Sequence, residues 1–267
     1  MTQKTKQKNI VTKPYLKGSV TDRNTAKRSL GFLGLLLIFT FVCVLACTMF
    51  LSGNAILRIG LNLIIEVLIL TICFSNGTAR GTDDVAKGEV MYQHKENGRE
   101  DDAAERATSY HPLKGLVTAL IGSALILIAA VILAVTAEKT ITGAGALPSW
   151  LQIYERRPEI GDALSAYHQN AGMTLTSAMR TVVRLFLMPI ISMAGSENKD
   201  LLLLLERLSP ILVLLPAAAF GIGYMQGPLM RSKVHTEISE NIRKRKKKER
   251  REQKKRVRTA KEPEQLN

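Results

Sequence analysis

Four long, almost purely apolar stretches constrain this chain more than any other feature. Residues 29–51 carry no charged side chain, and comparable stretches occupy residues 54–74, 114–137 and 200–228. An α-helix needs about 20 apolar residues to cross the ~30 Å of hydrocarbon in a bilayer. The sequence therefore predicts an all-α, polytopic membrane protein with four transmembrane helices. The first two are expected to form a helical hairpin at 29–74, and the secure part of the fourth begins at about residue 208.

A fifth apolar stretch, residues 174–194, has Arg180 and Arg184 at its centre. Each arginine in the middle of a spanning helix costs at least ~2.5–3.5 kcal/mol of insertion free energy. A helix that lies in the membrane interface accommodates a stripe of two arginines more easily. We therefore predict an interfacial or re-entrant amphipathic helix, with outer headgroup phosphates as partners of these interfacial arginines. The alternative is a true span, paired with the loss of another span.

The charged segments between these stretches predict an orientation. Residues 1–28 and 229–267 hold most of the basic excess of a chain whose net charge is +14. Because segments rich in Lys and Arg stay on the cytoplasmic side, both termini are predicted to be cytoplasmic, in a bacterial-type plasma membrane. Residues 1–28 then form a mobile cytoplasmic tail, 75–113 a cytoplasmic polar loop, and 138–199 an extracytoplasmic loop.

Polar residues recur at every fourth position of the second apolar stretch: Asn54, Arg58, Asn62 and Glu66. Residues four apart stack on one face of an α-helix, so these four form an intramembrane polar ridge. In one interpretation Glu66 takes up a proton or cation, tuned by Arg58 and bridged by Asn62, or Arg58 holds open a polar groove. In the other, Asn54 caps the helix, Arg58 reaches the outer interface, and Glu66 pairs with one basic residue to fix helix register.

The polybasic cytoplasmic tail, 229–267, contains the run Arg243, Lys244, Arg245, Lys246, Lys247 and Lys248. Beside a spanning helix, such a run attracts anionic lipid by roughly 1 kcal/mol per basic residue near the surface. The same charge would bind RNA, or a ribosome, with strong salt dependence. The tail has no aromatic residue to stack on bases, which argues against specific single-strand recognition. We predict anionic lipids at the cytoplasmic face as partners, with ribosome or RNA as the alternative.

The sequence contains no motif that suggests a catalysed reaction. The sequence contains no GxSxG, HExxH or Walker A pattern, and its histidines lie far apart in polar segments. We therefore predict no enzyme, no cofactor and no metal site, but an accessory, scaffold or assembly subunit that contacts other membrane subunits or itself. The alternatives are a transporter or channel component that uses the ridge, and a membrane-insertion factor with a ribosome-contacting tail.

Overall fold

A computed structural model describes residues 11–49, 55–99, 102–137, 175–195 and 198–259. The regular elements in these ranges are α-helices: α1 (Thr25–Met49), α2 (Ala55–Glu96), α3 (Ala103–Ala107), α4 (Lys114–Thr136), α5 (Leu175–Phe186), α6 (Met188–Ala194), α7 (Lys199–Met225) and α8 (Gly227–Thr259). The predicted turn at 52–54, most of the predicted loop at 138–199 and the outermost residues of both tails lie outside the described residues.

Four of these helices, α1, α2, α4 and α7, are long and apolar enough to cross a membrane. The predicted class, an all-helical multi-pass membrane protein, is therefore confirmed. The boundaries differ, since α1 begins at Thr25 and α7 is helical from Lys199 through Pro210 and Pro216. Glu206, which we expected before the secure part of the fourth span, is therefore inside a spanning helix.

Helix α2 is much longer than its apolar part. It contains 42 residues and ends at Glu96. At 1.5 Å per residue it is ~63 Å long, about twice the thickness of the hydrocarbon layer, so its second half leaves the membrane as a helix. The predicted polar loop at 75–113 is wrong for residues 75–96. The physical reason is a buried face of small and polar residues at helical spacing, which packs on other segments.

Glycines let α2 cross α7 at very short distance. Gly77 and Gly81 on α2 face Gly223 on α7 and Gly227 at the start of α8, and the two residues of each pair are four apart. A Cβ atom on Gly77 would lie 2.1 Å from the carbonyl oxygen of Phe220. Such small-xxx-small pairs allow backbones to approach in membrane helices, where dispersion contacts replace the hydrophobic driving force. The crossing fixes where α2 and α7 meet along their lengths.

Helix pairing differs from the predicted hairpin. α1 packs mainly on α4 and α2 mainly on α7, whereas α1 and α2 share few contacts. Gly122 of α4 allows the close contact with α1, because a Cβ there would lie 2.6 Å from the carbonyl oxygen of Ser29. The apolar core therefore forms around α4 and α7, which contact each other extensively.

The bundle has a termini end, at which α1 and α4 begin and α7 ends, and an opposite end. At the termini end, the N-terminal segment 11–24 lies on the second half of α2. The backbone N–H of Leu16 donates to the carbonyl oxygen of Gly88 at 3.1 Å, and that of Gly18 donates to Tyr110 at 3.0 Å. The prediction of a mobile tail is therefore wrong for this segment.

Helices α5 and α6 form a bent pair at the opposite end, with an angle of 94° between them. Leu187, at the bend, lies beside Glu66 of α2, while Gly195 after α6 contacts Arg58 near the start of α2. Glu66 is 11 residues from Ala55, or ~17 Å along the helix, so the bend reaches roughly the middle of the membrane. A bent pair of this kind is either a re-entrant helix, one of the two predicted geometries, or a broken span.

Candidate functional site

The intramembrane polar ridge is only partly assembled. Asn54 lies outside the described residues. Asn62 is buried, and its side-chain N–H donates to the carbonyl oxygen of Arg58 at 2.9 Å. The guanidinium of Arg58 packs on Gly195, and its buried Nε has no hydrogen-bond partner in the described ranges. Glu66 lies two further turns along α2, ~12 Å away, so no ion pair joins these two residues.

Glu66 lines a small cavity of about 20 Å³ between α1, α2, α7 and the bend of α5 and α6. Its neighbours there include Phe39, Cys43 and Phe186. This volume suits about one water molecule. Glu66 has no ion-pair partner in the part of the chain that the structure describes, so its pairing with a basic residue stays a prediction. An ionisable side chain left unpaired inside a bundle is a candidate functional group.

The two interfacial arginines bind a carboxylate, which the sequence analysis did not predict as their partner. Arg184 Nη2 lies 2.6 Å from Oε1 of Glu206, and Arg180 Nε lies 2.9 Å from the same oxygen. Glu206 is only 4% exposed. α7 is helical from Lys199, so Glu206 lies opposite α5, while contact of the arginines with headgroup phosphates stays a prediction. Two cations on one anion leave this cluster with a net positive charge.

A second charge cluster lies at the termini end, around Asp84 of α2. Asp84 is 1% exposed, and both its oxygens accept from the guanidinium of Arg28, at 2.6 and 2.8 Å. Tyr224 donates its hydroxyl to the same carboxylate at 2.8 Å, and Lys87 lies 3.1 Å away. The cluster thereby ties α1, α2 and α7 together at the glycine crossing.

Lys114, the first residue of α4, is fully buried beside this cluster. Its ammonium lies 2.7 Å from Oδ2 of Asp22 and donates to the carbonyl oxygens of Ala107 and Ser109. Its charge is therefore compensated by one carboxylate and two carbonyl oxygens. Burial alone would raise the pKa of the Asp22 carboxyl, but hydrogen bonds from Lys114 and Thr25 hold that pKa below its ordinary value.

The base of α8 is held by a third cluster. Glu89 of α2 accepts from Arg231 Nε at 3.0 Å, and its other oxygen lies 2.7 Å from His235 Nε2. Glu89 and His235 are both buried. Because Gly81 lies beside Gly227 and Glu89 beside Arg231, α8 runs parallel to the second half of α2.

Beyond residue 240, the side chains of α8 are exposed through residue 255. We call residues 241–259 the basic arm. It includes the six predicted residues from Arg243 to Lys248, all of which point into solvent on a continuous helix. Arg243 is 16 residues beyond Gly227, which places it ~24 Å further along the helix.

Sequence reasoning missed the residues that organise the termini end: Asp22, Asp84, Glu89, Lys114 and Tyr224. The available signal was the spacing of small residues on both sides of the crossing, which extends the helical pattern past residue 74. Tyr110, in the 102–113 segment, stacks on Tyr224 with ring centroids 5.3 Å apart. The aromatic residues of the polar segments were thus also a signal for a packed region.

Comparison of the chain with protein-family models, curated proteins and solved structures gives no match. Inferences about function therefore rest on the geometry of the bundle, the three charge clusters and the basic arm.

Proposed function

We propose that this protein is a scaffold or assembly subunit of a membrane complex, and that it holds the basic arm away from the bilayer for a polyanionic partner. The observation that carries the proposal is the anchoring of α8. Glu89 holds Arg231 and His235 at the base of α8, while the arm is exposed from residue 241 to residue 255. A fixed base and an exposed, highly charged end are properties of a tether.

The distance of the arm from the membrane favours a partner in solution over anionic lipid. The surface potential of a membrane falls off within a Debye length, ~8 Å at physiological ionic strength. Arg243 lies ~24 Å along α8 from the glycine crossing, where α8 follows the second half of α2. We therefore favour a phosphate-backbone polyanion such as RNA, bound without sequence specificity because the arm has no aromatic residue.

The orientation belongs to the same proposal. The basic excess at the termini end supports a cytoplasmic location of both termini in a plasma membrane. Protease added to sealed cells should then leave the arm intact, and removal of the arm by external protease would contradict this orientation.

The test measures RNA binding to the full chain in nanodiscs of neutral phosphatidylcholine. The arm variant replaces three exposed lysines by glutamine: Lys246, Lys247 and Lys248. We expect its affinity for a labelled single-stranded oligonucleotide to fall at least tenfold. The slope of log affinity against log salt should also decrease by about 2, since each contact with a single strand contributes about 0.7.

The matched control removes the same charge from the N-terminal segment, by glutamine at Lys13, Lys17 and Arg23, which are also exposed. We expect the affinity of the control variant for the oligonucleotide to fall less than threefold. Equal losses in both variants would show that net charge, and not the arm, binds the polyanion. Binding of the arm only to vesicles that contain anionic lipid would contradict the solution partner and favour membrane anchoring.

The unpaired carboxyl of Glu66 favours a second candidate, a transporter or channel component that oligomerises. Proton flux into proteoliposomes, followed with an internal pH dye, should be abolished by Glu66→Gln. The Thr40→Val variant, altered in the same cavity, should retain the flux. Equal flux with and without Glu66→Gln, or no flux above that of empty liposomes, would eliminate this candidate.

A further inference from the structure

We propose that a cavity at the termini end binds one anionic phospholipid, at a site separate from the basic arm. The cavity has a volume of about 540 Å³ and lies between α1, α2, α4 and α7. This volume is within the range typical of pockets for small molecules. We call it the basic cavity, because three of its lining residues, Lys27, Arg28 and Arg80, are basic and none is acidic.

The lining changes from polar to apolar along the membrane normal. Asn24 and Lys27 line it where α1 begins, and Phe32 and Leu35 line it further along the same helix. The distance from Asn24 to Leu35 is 11 residues, or ~17 Å of helix. A soluble anion would need only the polar part. A molecule with an anionic head and an apolar chain matches both parts of the wall.

The charges at the polar part are available for a ligand. Arg28 is committed to Asp84, but neither Lys27 nor Arg80 has an ion-pair partner among the described residues. Both of these side chains are exposed at the level where the apolar part of α2 ends. Two unpaired cations at the depth of the headgroups fit the phosphate of an anionic lipid.

A lipid can reach the basic cavity from the side. α1 and α2 share few contacts, because α1 packs on α4 and α2 packs on α7. Gly31 lines the cavity, and a Cβ built on it meets no atom within 4 Å. The gap between α1 and α2 therefore opens toward the bilayer, and a larger side chain at Gly31 would fill it without a clash.

The first test blocks the cavity. The full chain is reconstituted in vesicles of equal parts phosphatidylglycerol and phosphatidylcholine, extracted gently, and examined by native mass spectrometry for retained lipid. We expect one phosphatidylglycerol on the wild type and at least tenfold less on Gly31→Phe. Gly60→Phe is the matched control, since Gly60 also has open space around its Cβ but lies near the opposite end. Equal retention in both variants would overturn the proposal.

The second test removes the two unpaired cations in the double variant Lys27→Gln, Arg80→Gln. Each basic residue near an anionic surface contributes about fivefold to binding, so retention should fall more than tenfold. The arm variant described above should retain the lipid, which separates this site from the proposed function. Equal retention of phosphatidylcholine would contradict recognition of an anion. Displacement of the lipid by inorganic phosphate or glycerol phosphate at millimolar concentration would show a soluble phosphate site instead.

Discussion

The two ends of the bundle differ in how completely their charged side chains are paired. At the termini end, Asp22, Asp84 and Glu89 each pair with a basic residue from a distant segment of the chain. At the opposite end Glu206 is also paired, with Arg180 and Arg184. Among the described residues, however, Glu66 has no ion-pair partner there, and the buried Nε of Arg58 has no hydrogen-bond partner. The comparison separates charges that hold helices together from charges that are available for something else.

This difference follows from the cost of burying charge. Removal of one partner from a buried pair costs ~3–5 kcal/mol, because it leaves the other charge without compensation. The stability of the fold therefore depends strongly on each paired charge. The pairs at the termini end lie beside the glycine crossing, which fixes α2 against α7. An unpaired group adds little to stability, so its presence needs another reason. Each of the following predictions tests this contrast.

The largest effect is expected at the crossing itself. In Gly77→Val, the new Cβ would meet the carbonyl oxygen of Phe220 at 2.1 Å, and backbone atoms cannot move away singly. We expect the free energy of unfolding to fall by more than ~4 kcal/mol, and size-exclusion chromatography to show no monodisperse protein. Gly60→Val on the same helix, with open space around its Cβ, should elute like the wild type. A well-folded Gly77→Val variant would show that the helices do not cross as described.

Asp84→Asn should have the next largest effect. It leaves the guanidinium of Arg28, which is 15% exposed, without its carboxylate. We expect a loss of ~3–5 kcal/mol in the free energy of unfolding, measured by denaturant titration in detergent micelles. The adjacent Asp83→Asn is the control, because Asp83 is exposed and should change stability by less than ~0.5 kcal/mol. If Asp84→Asn and Asp83→Asn changed stability equally, the buried pair of Asp84 would not be what stabilises the termini end.

The two intramembrane glutamates should respond unequally. Glu206→Gln leaves Arg180 and Arg184 without a counter-charge, so we expect the free energy of unfolding to fall by ~3 kcal/mol. Glu66→Gln removes an unpaired carboxyl and should change stability by less than ~1 kcal/mol. The measurement is thermal unfolding of both variants and the wild type in the same detergent, and it compares their losses of stability. A large loss from Glu66→Gln would mean that Glu66 has a structural partner after all.

The smallest effect concerns pH. The pKa of Asp22 is lower in the folded chain than its ordinary value of 3.8, so its pair with Lys114 stabilises the fold above that pH. This contribution is lost as the pH falls through the lower, folded pKa. Asp22→Asn should lower the melting temperature by a few degrees (~3 °C) at pH 7. The difference from the wild type should shrink below pH 4, and a constant difference would contradict the assignment.

The spans could be predicted from the sequence because each depends on local composition alone. The uncharged run from 29 to 51 is sufficient by itself to predict a spanning helix. The arginines at 180 and 184 indicated that their helix is not a single straight span. The continuation of α2 was missed because Asp83, Asp84 and Lys87 resemble a solvated loop when they are read only for charge. Read for helical spacing, the small residues on either side of them, Gly77, Gly81 and Gly88, indicate a packed face.

The candidate sites could not be predicted in the same way. Arg28 and Asp84 are 56 residues apart, and Arg231 and Glu89 are 142 apart. The polar segments contain many acids that could pair with either arginine, and helical periodicity does not choose among them. The partner of Arg184 depended on Glu206 being inside the spanning helix, although the secure part of that span was predicted to begin only at about residue 208. Ridge spacing placed Asn62 and Glu66 on one helix face, but it gave no information about what lies opposite.

The uninterrupted course of α2 has a consequence for the length of this helix. One residue inserted between Glu66 and Gly77 would rotate everything that follows by ~100° and advance it by ~1.5 Å. The glycine face, Asp84 and Glu89 would all turn out of phase with their partners at once. Between Glu66 and Glu89, the number of residues in α2 is therefore as strictly determined as their chemistry.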